Sequence, residues 1–126
     1  MSEAAFDELI HAPLRLQICA LLAPVQSLPF GEIRDSLEIS DSVLSKHLSA
    51  LGEAEYVEVS RMRSNSRSRR QVTLTKPGRT ALGGHLAALQ EIAAAAEPGL
   101  AAKRSGRNVA KRHRSPRDTA LGPRTA

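Results

Sequence analysis

Ser40-Asp41-Ser42-Val43-Leu44-Ser45-Lys46-His47-Leu48-Ser49-Ala50-Leu51 reads as a short helix with two unlike faces. Leu44, Leu48 and Leu51 recur at spacings of four and three, so they share one stripe. Ser42, Ser45, Lys46 and Ser49 fall on the opposite side, with Val43 on its flank. Ser40 or Asp41 can cap the helix, because a short side-chain oxygen accepts a bond from an amide left unpaired in the first turn. The exposed face is small, hydroxylated and singly positive. Such a surface is thin enough to enter a DNA major groove, where hydroxyls and a lysine meet phosphates and base edges. An ordinary amphipathic surface helix has the same pattern, so the flanking segments decide between the two.

Upstream, Phe30, Ile33 and Leu37 set a second short helix, and Glu38-Ile39-Ser40 turns from it into the first stretch. Two short helices joined by about three residues, the second opening on a cap, form a helix-turn-helix arrangement. Before them, Pro13 fits the first position of a helix carrying Leu14, Ile18, Leu21 and Leu22, which Pro24 stops. Val25 to Pro29 reads as a linker. Phe6, Leu9 and Ile10 make a short apolar face nearer the start.

Downstream the period changes. Val57 and Val59 alternate with Glu58 and Ser60, and Val72 and Leu74 with Thr73 and Thr75, which predicts two half-buried strands. The polar stretch from Met62 to Arg69 between them reads as a turn. Arg61, Arg63, Arg67, Arg69 and Arg70 fall in or beside it with no acidic residue among them. Five like charges do not serve a core, and beside a helix-turn-helix they suit DNA phosphates or a minor groove.

Thr75-Lys76-Pro77-Gly78-Arg79 opens the last helix, whose apolar stripe includes Leu82, Leu86, Leu89 and Ile92. Gly83-Gly84 sits inside it. Each glycine costs a helix about 1 kcal/mol against alanine, so the pair marks either a close approach to a neighbour or a break. A helix this long is hard to bury in so small a domain. Phe6, Leu9, Leu82, Leu86 and Leu89 are therefore expected to contribute to a dimer seam. Glu97-Pro98-Gly99 is expected to end the helix. The domain then spans residues 1–97, and 98–126 form a basic tail too poor in large apolar residues to offset its ordering entropy.

Composition narrows the function. Residues 1–60 hold three basic and ten acidic side chains, a net of −7, while residues 61–70 hold five arginines and residues 97–126 eight basic against two acidic. The overall charge of +5 thus describes local patches, which are what a polyanion meets. Cys19 is the only cysteine, which excludes an intrachain disulfide or a thiolate zinc site and suits a reducing cytoplasm. The N-terminus is acidic and lacks a secretory pattern, and no apolar run is long enough to span a membrane. His11, His47, His85 and His113 show no metal-ligand spacing, and no phosphate-binding loop or catalytic constellation is visible. No cofactor and no enzymatic activity are expected.

Four segments in order resemble the winged helix-turn-helix domains of bacterial regulators of the MarR and ArsR families. Pro13-Leu14-Arg15-Leu16-Gln17-Ile18 is similar to their opening P-x-R-L-x-I, and Leu44-Ser45-Lys46-His47-Leu48-Ser49-Ala50-Leu51 to their recognition helix. Tyr56-Val57-Glu58-Val59 and Leu74-Thr75-Lys76-Pro77-Gly78-Arg79 resemble the entry to the wing and the L-T-x-x-G-R start of the last helix. The resemblance covers roughly residues 6–96. It implies a mostly helical α+β fold with a two-stranded wing, and a homodimer on a pseudo-palindromic operator in double-stranded DNA. Two departures stand out. Glu55 occupies the place where the family usually has glycine, and the region of the metal-sensing Cys-x-Cys has no cysteine. The expected function is a sequence-specific transcriptional regulator read by Ser42, Val43, Ser45, Lys46 and Ser49 and anchored by the wing arginines. The alternative is a winged-helix module for protein contacts, against which the arginine cluster argues. The residues name no small-molecule effector.

Overall fold

The structure is a computed structural model that describes residues 3–64 and 67–110. It divides into two units, Met1–Gln90 and Glu91–Ala126. In chain order the elements are α1 (Glu8–His11), α2 (Pro13–Leu22), β1 (Leu28–Pro29), α3 (Phe30–Leu37), α4 (Asp41–Glu53), β2 (Val57–Ser64), β3 (Arg67–Leu74) and α5 (Lys76–Ala110). Every helix of the first unit contributes to one core, built on Ile10, Ile18, Leu22, Ile33, Leu44, Leu51, Val72 and Leu82 among others.

The ends of the two central helices are built alike. α4 starts on Ser40, whose hydroxyl accepts from the Val43 N–H at 3.2 Å. It ends in a Schellman turn: Tyr56 N–H donates to the Leu51 carbonyl and Glu55 N–H to that of Gly52, each at 2.9 Å. Ile39 N–H and Glu38 N–H close α3 the same way on Arg34 and Asp35, each at 3.2 Å. The left-handed residue of each turn is a glutamate, Glu38 at φ 56 and Glu55 at φ 67. Glycine adopts that conformation freely, and a side chain there costs about 1 kcal/mol. The departure seen in the sequence at Glu55 is therefore a real left-handed residue.

The sheet is antiparallel with order β1-β3-β2. Leu28–Pro29, expected within a linker, instead forms an edge strand in which Leu28 pairs with Val72 and Pro29 with Gln71. Two residues are too few to show a period, and proline is tolerated at an edge because it need donate nothing. The hairpin is also longer than expected. Met62 pairs with Arg69, Arg63 with Ser68 and Ser64 with Arg67, so the supposed turn is mostly strand. Apolar alternation fades where the hairpin leaves the core, whereas the backbone ladder needs no apolar side chain to continue.

α5 opens on Thr75, whose hydroxyl accepts from Gly78 N–H at 3.0 Å and donates to the Glu55 carbonyl at 2.6 Å. Arg79 donates to the carbonyls of Ala23 at 2.6 Å and Val25 at 3.1 Å, covering the end of α2. Gly84 marks the close approach. Ala5 N–H donates to its carbonyl at 2.9 Å, and a Cβ on Gly84 would stand 2.9 Å from the carbonyl oxygen of Glu3. α5 runs past Glu97-Pro98-Gly99, where the sequence placed its end. Alanines at 93–96 and 101–102 favour helix on both sides of Pro98, although its ring removes one N–H and crowds the carbonyl four residues back. Residues 111–126, with the Lys111-Arg112-His113-Arg114 cluster, lie outside the described residues.

In a helix without such a contact, Gly→Ala stabilises by about 1 kcal/mol. Gly84→Ala is expected to destabilise by about 1–3 kcal/mol in urea unfolding, because its methyl group meets backbone rather than a flexible side chain. A gain in stability would mean that the N-terminal segment gives way without cost.

Candidate nucleic-acid interface

α4 presents the face that the sequence outlined. Leu44 and Leu51 are fully buried and Leu48 nearly so. Ser42, Lys46 and Ser49 are exposed, Val43 is 36% exposed, and Ser45 is half-buried. Burying each leucine contributes about 2 kcal/mol, which fixes the rotation of the helix about its axis.

Two arginines hold α4 at its flank and its start: Arg15, which the sequence showed only as part of the opening motif, and Arg34, to which it assigned no role. Arg15 Nε donates to the Leu9 carbonyl at 2.6 Å, and its Nη1 lies 3.2 Å from His47 Nδ1. A guanidinium only donates, so His47 Nδ1 accepts and the neutral ring carries its proton on Nε2. Burial first, then Arg15 and Lys46, push the His47 pKa down, which favours that neutral form. Arg34 of α3 donates to Asp35 and to Asp41 in the first turn of α4, both at 2.9 Å. The hydrogen bond from Arg34 holds the Asp35 carboxyl below its ordinary value. These groups are exposed, so the pairs orient more than they stabilise. Nothing in the linear spacing of Arg15, His47, Arg34 and Asp41 announces these contacts.

The wing arginines do not form one uniform group. Direct partners across a ladder share a face, so Arg61, Arg63 and Arg70 lie on the face that carries Val57, Val72 and Leu74 toward the core. Arg69, opposite Met62, lies on the other. Arg70 is half-buried, with its guanidinium carbon 3.6 Å from the centroid of the Phe30 ring. This cation–π stack ties the wing to α3. Arg61, Arg63 and Arg69 are exposed, and the side chain of Arg67 is outside the described part. A cleft of about 500 Å³ lies where Phe30 and Gly31 meet Arg69 and Arg70.

The residues expected at a dimer seam fall into two sets. Leu82 is 5% exposed and belongs to the core of its own chain, with Leu9 packed against it. Phe6 and Leu86 are 46% and 41% exposed, and Leu89 is half-buried. Among the described residues, no three His, Cys, Asp or Glu side chains are placed to hold a metal ion. His11 and His85, scattered in sequence, nevertheless meet with ring nitrogens 3.1 Å apart. Cys19 is buried; burial first, and then Asp7, push its thiol up to about 11, which leaves it protonated and unreactive.

The winged helix DNA-binding domain family matches residues 14–93. The chain belongs to that family. In that fold α3 and α4 are the two helices of the helix-turn-helix and the β2–β3 hairpin is the wing. Among solved structures it is similar to a transcriptional regulator homologue from Pyrococcus horikoshii, at 24% identity and a TM-score of 0.65 over 68% of this chain and 85% of that one. It is also similar to YusO from Bacillus subtilis, at 22% identity and a TM-score of 0.59 over 78% and 73%. NolR from Sinorhizobium fredii shares 26% identity with a TM-score of 0.52 over 67% and 76%. No curated protein matches the chain. No helix among the described residues is long and apolar enough to cross a membrane.

The wing geometry separates two arginines that are adjacent in sequence. Arg70→Ala is expected to lower stability by about 1 kcal/mol through loss of the stack on Phe30. Arg69→Ala should leave it within about 0.5 kcal/mol. Chemical unfolding of the two variants checks this, and equal effects would dissolve the distinction.

Proposed function

We propose that the protein is a sequence-specific transcriptional regulator that binds a pseudo-palindromic operator as a homodimer. The observation that carries this is the α4 face: Ser42, Lys46 and Ser49 exposed on a helix whose opposite stripe is locked into the core. Small hydroxyls and one lysine are suited to base edges in a major groove, and Val43 can meet a thymine methyl. Arg61, Arg63, Arg67 and Arg69 supply charge for the phosphate backbone, while Arg70 supports the wing from below. Phe6 and Leu86, large and exposed near the first residues and α5, supply apolar area for a second copy.

Binding-site selection from random DNA tests the reading helix. Lys46→Ala and Ser42→Ala should change the selected sequence and lower the ratio of operator to random affinity. An unchanged base preference would move the reading surface elsewhere.

The wing is tested by salt. Replacing Arg63, Arg67 and Arg69 by alanine should weaken operator and random DNA together. The slope of log affinity on log salt should fall by about 0.9 for each phosphate that is no longer neutralised. An unchanged slope would take these arginines off the backbone.

Leu86→Glu should give monomers by analytical ultracentrifugation, because an ionised carboxylate in an apolar seam costs several kcal/mol. A wild-type protein that sediments as a monomer at micromolar concentration would remove the palindrome.

A further inference from the structure

Away from the DNA-facing surface, titratable groups converge where the first residues cross α5. His85 on α5 is fully buried. The backbone N–H of Asp7 points to its Nδ1 at 2.9 Å, and its Nε2 lies 3.1 Å from His11 Nδ1 on α1. The Phe6 ring packs against both imidazoles, with centroids 4.8 Å from His11 and 4.6 Å from His85. One residue back, Ala5 N–H donates to the Gly84 carbonyl. The Asp7 carboxylate is already engaged: Oδ1 accepts from Ile10 N–H at 3.0 Å and Oδ2 from the Tyr56 hydroxyl at 2.6 Å. The Tyr56 hydroxyl and the Cys19 thiol beyond it are raised to about 12 and about 11, and both stay neutral.

The direction of this relay is fixed by its first donor. A backbone N–H can only donate, so His85 Nδ1 must be bare and its proton must sit on Nε2. That proton is given to His11 Nδ1, which must be bare in turn. A second proton has no place. On His85 Nδ1 it would face the Asp7 N–H. On His11 Nδ1 it would face the His85 N–H, and moving that proton to His85 Nδ1 only returns the conflict to Asp7. Wherever one proton enters at these facing nitrogens, two N–H groups end up opposed.

We propose that this relay is a pH-gated clasp, holding residues 3–7 on α5 while His85 is neutral and releasing them in acid. Burial first, and then His11, hold the His85 pKa below its ordinary value, with Asp7 pulling weakly the other way. A depressed native value gives the sign. The clasp contributes fully above the ordinary imidazole pKa of 6.5 and is lost as pH falls through the lowered value. Phe6 belongs to the proposed dimer seam, so release weakens the dimer; this last step alone rests on the function proposed above.

Amide exchange on the whole chain, corrected for the intrinsic pH dependence of exchange, tests the clasp. Protection of the Ala5 and Asp7 amides should fall about tenfold or more between pH values of about 7.5 and 5, while that of Leu48 in α4 holds. His85→Asn places Oδ1 where Nδ1 stood and cannot titrate, so its protection should not vary with pH. Constant protection in the wild type, or an equal fall in the variant, overturns the proposal. Nitrogen NMR of the wild-type imidazoles at a pH of about 7.5 gives a second reading that needs no variant. Both rings should be in the Nε2–H form, and an Nδ1–H form of either ends the relay. Release of the amides without dimer loss by sedimentation would leave the clasp standing and remove the seam.

Discussion

The leucine stripe of α4 is the constraint on which the rest of the first unit depends. Leu44, Leu48 and Leu51 bury one side of the helix against the core. A helix has a single rotation that does this, so the position of every polar residue on its other side follows without further control. The small surface residues then need no packing role, which leaves Ser42, Lys46 and Ser49 free for chemistry. Truncating one such buried leucine costs about 2–5 kcal/mol in known cores, a large share of the stability of any small domain.

Much of this could be read in the residues. The stripes of α2, α3, α4 and α5 follow helical spacing, and the Val57/Val59 and Val72/Leu74 alternation marks the inner half of the wing. Ser40 shows its capping chemistry openly, and Glu55 was noticeable because a side chain stands where glycine is usual. Other features leave no local trace. Leu28–Pro29 is a strand only because β3 lies beside it. Glu38 takes a left-handed conformation that its residue type does not favour. Of the candidate interface, the polar face of α4 and the set of wing arginines were legible. The separate position of Arg70 was not, since it depends on Phe30, forty residues earlier. His11 and His85 are likewise joined by topology and not by spacing.

The wing and α3 are coupled through that one aromatic contact. Phe30 is 5% exposed and belongs to the core, while Arg70 extends from β3. A charged group stacked on a core ring gives the base of the wing a fixed attachment without adding apolar surface outside. The paired ladder beyond it carries Arg61 and Arg63 at alternate positions of β2. Flexibility in the charged hairpin is thereby limited near the core, where the orientation of the wing relative to α3 is set.

The contact between Asp7 and His85 spans 78 positions of sequence. It joins nearly the two ends of the first unit, and so bears on the order in which the chain assembles. α2, α3 and α4 precede α5 in the chain and can associate early, whereas the contacts of Ala5 with Gly84 and of Phe6 with His85 wait for α5. At a synthesis rate of about 5–20 residues per second, the first segment waits roughly 4–16 s for its partner to be made. During that interval Phe6 lacks the His85 ring that it packs against. Closing the loop between Asp7 and His85 therefore waits for the last helix of the unit to be made, and contacts of such long sequence separation are slow to form.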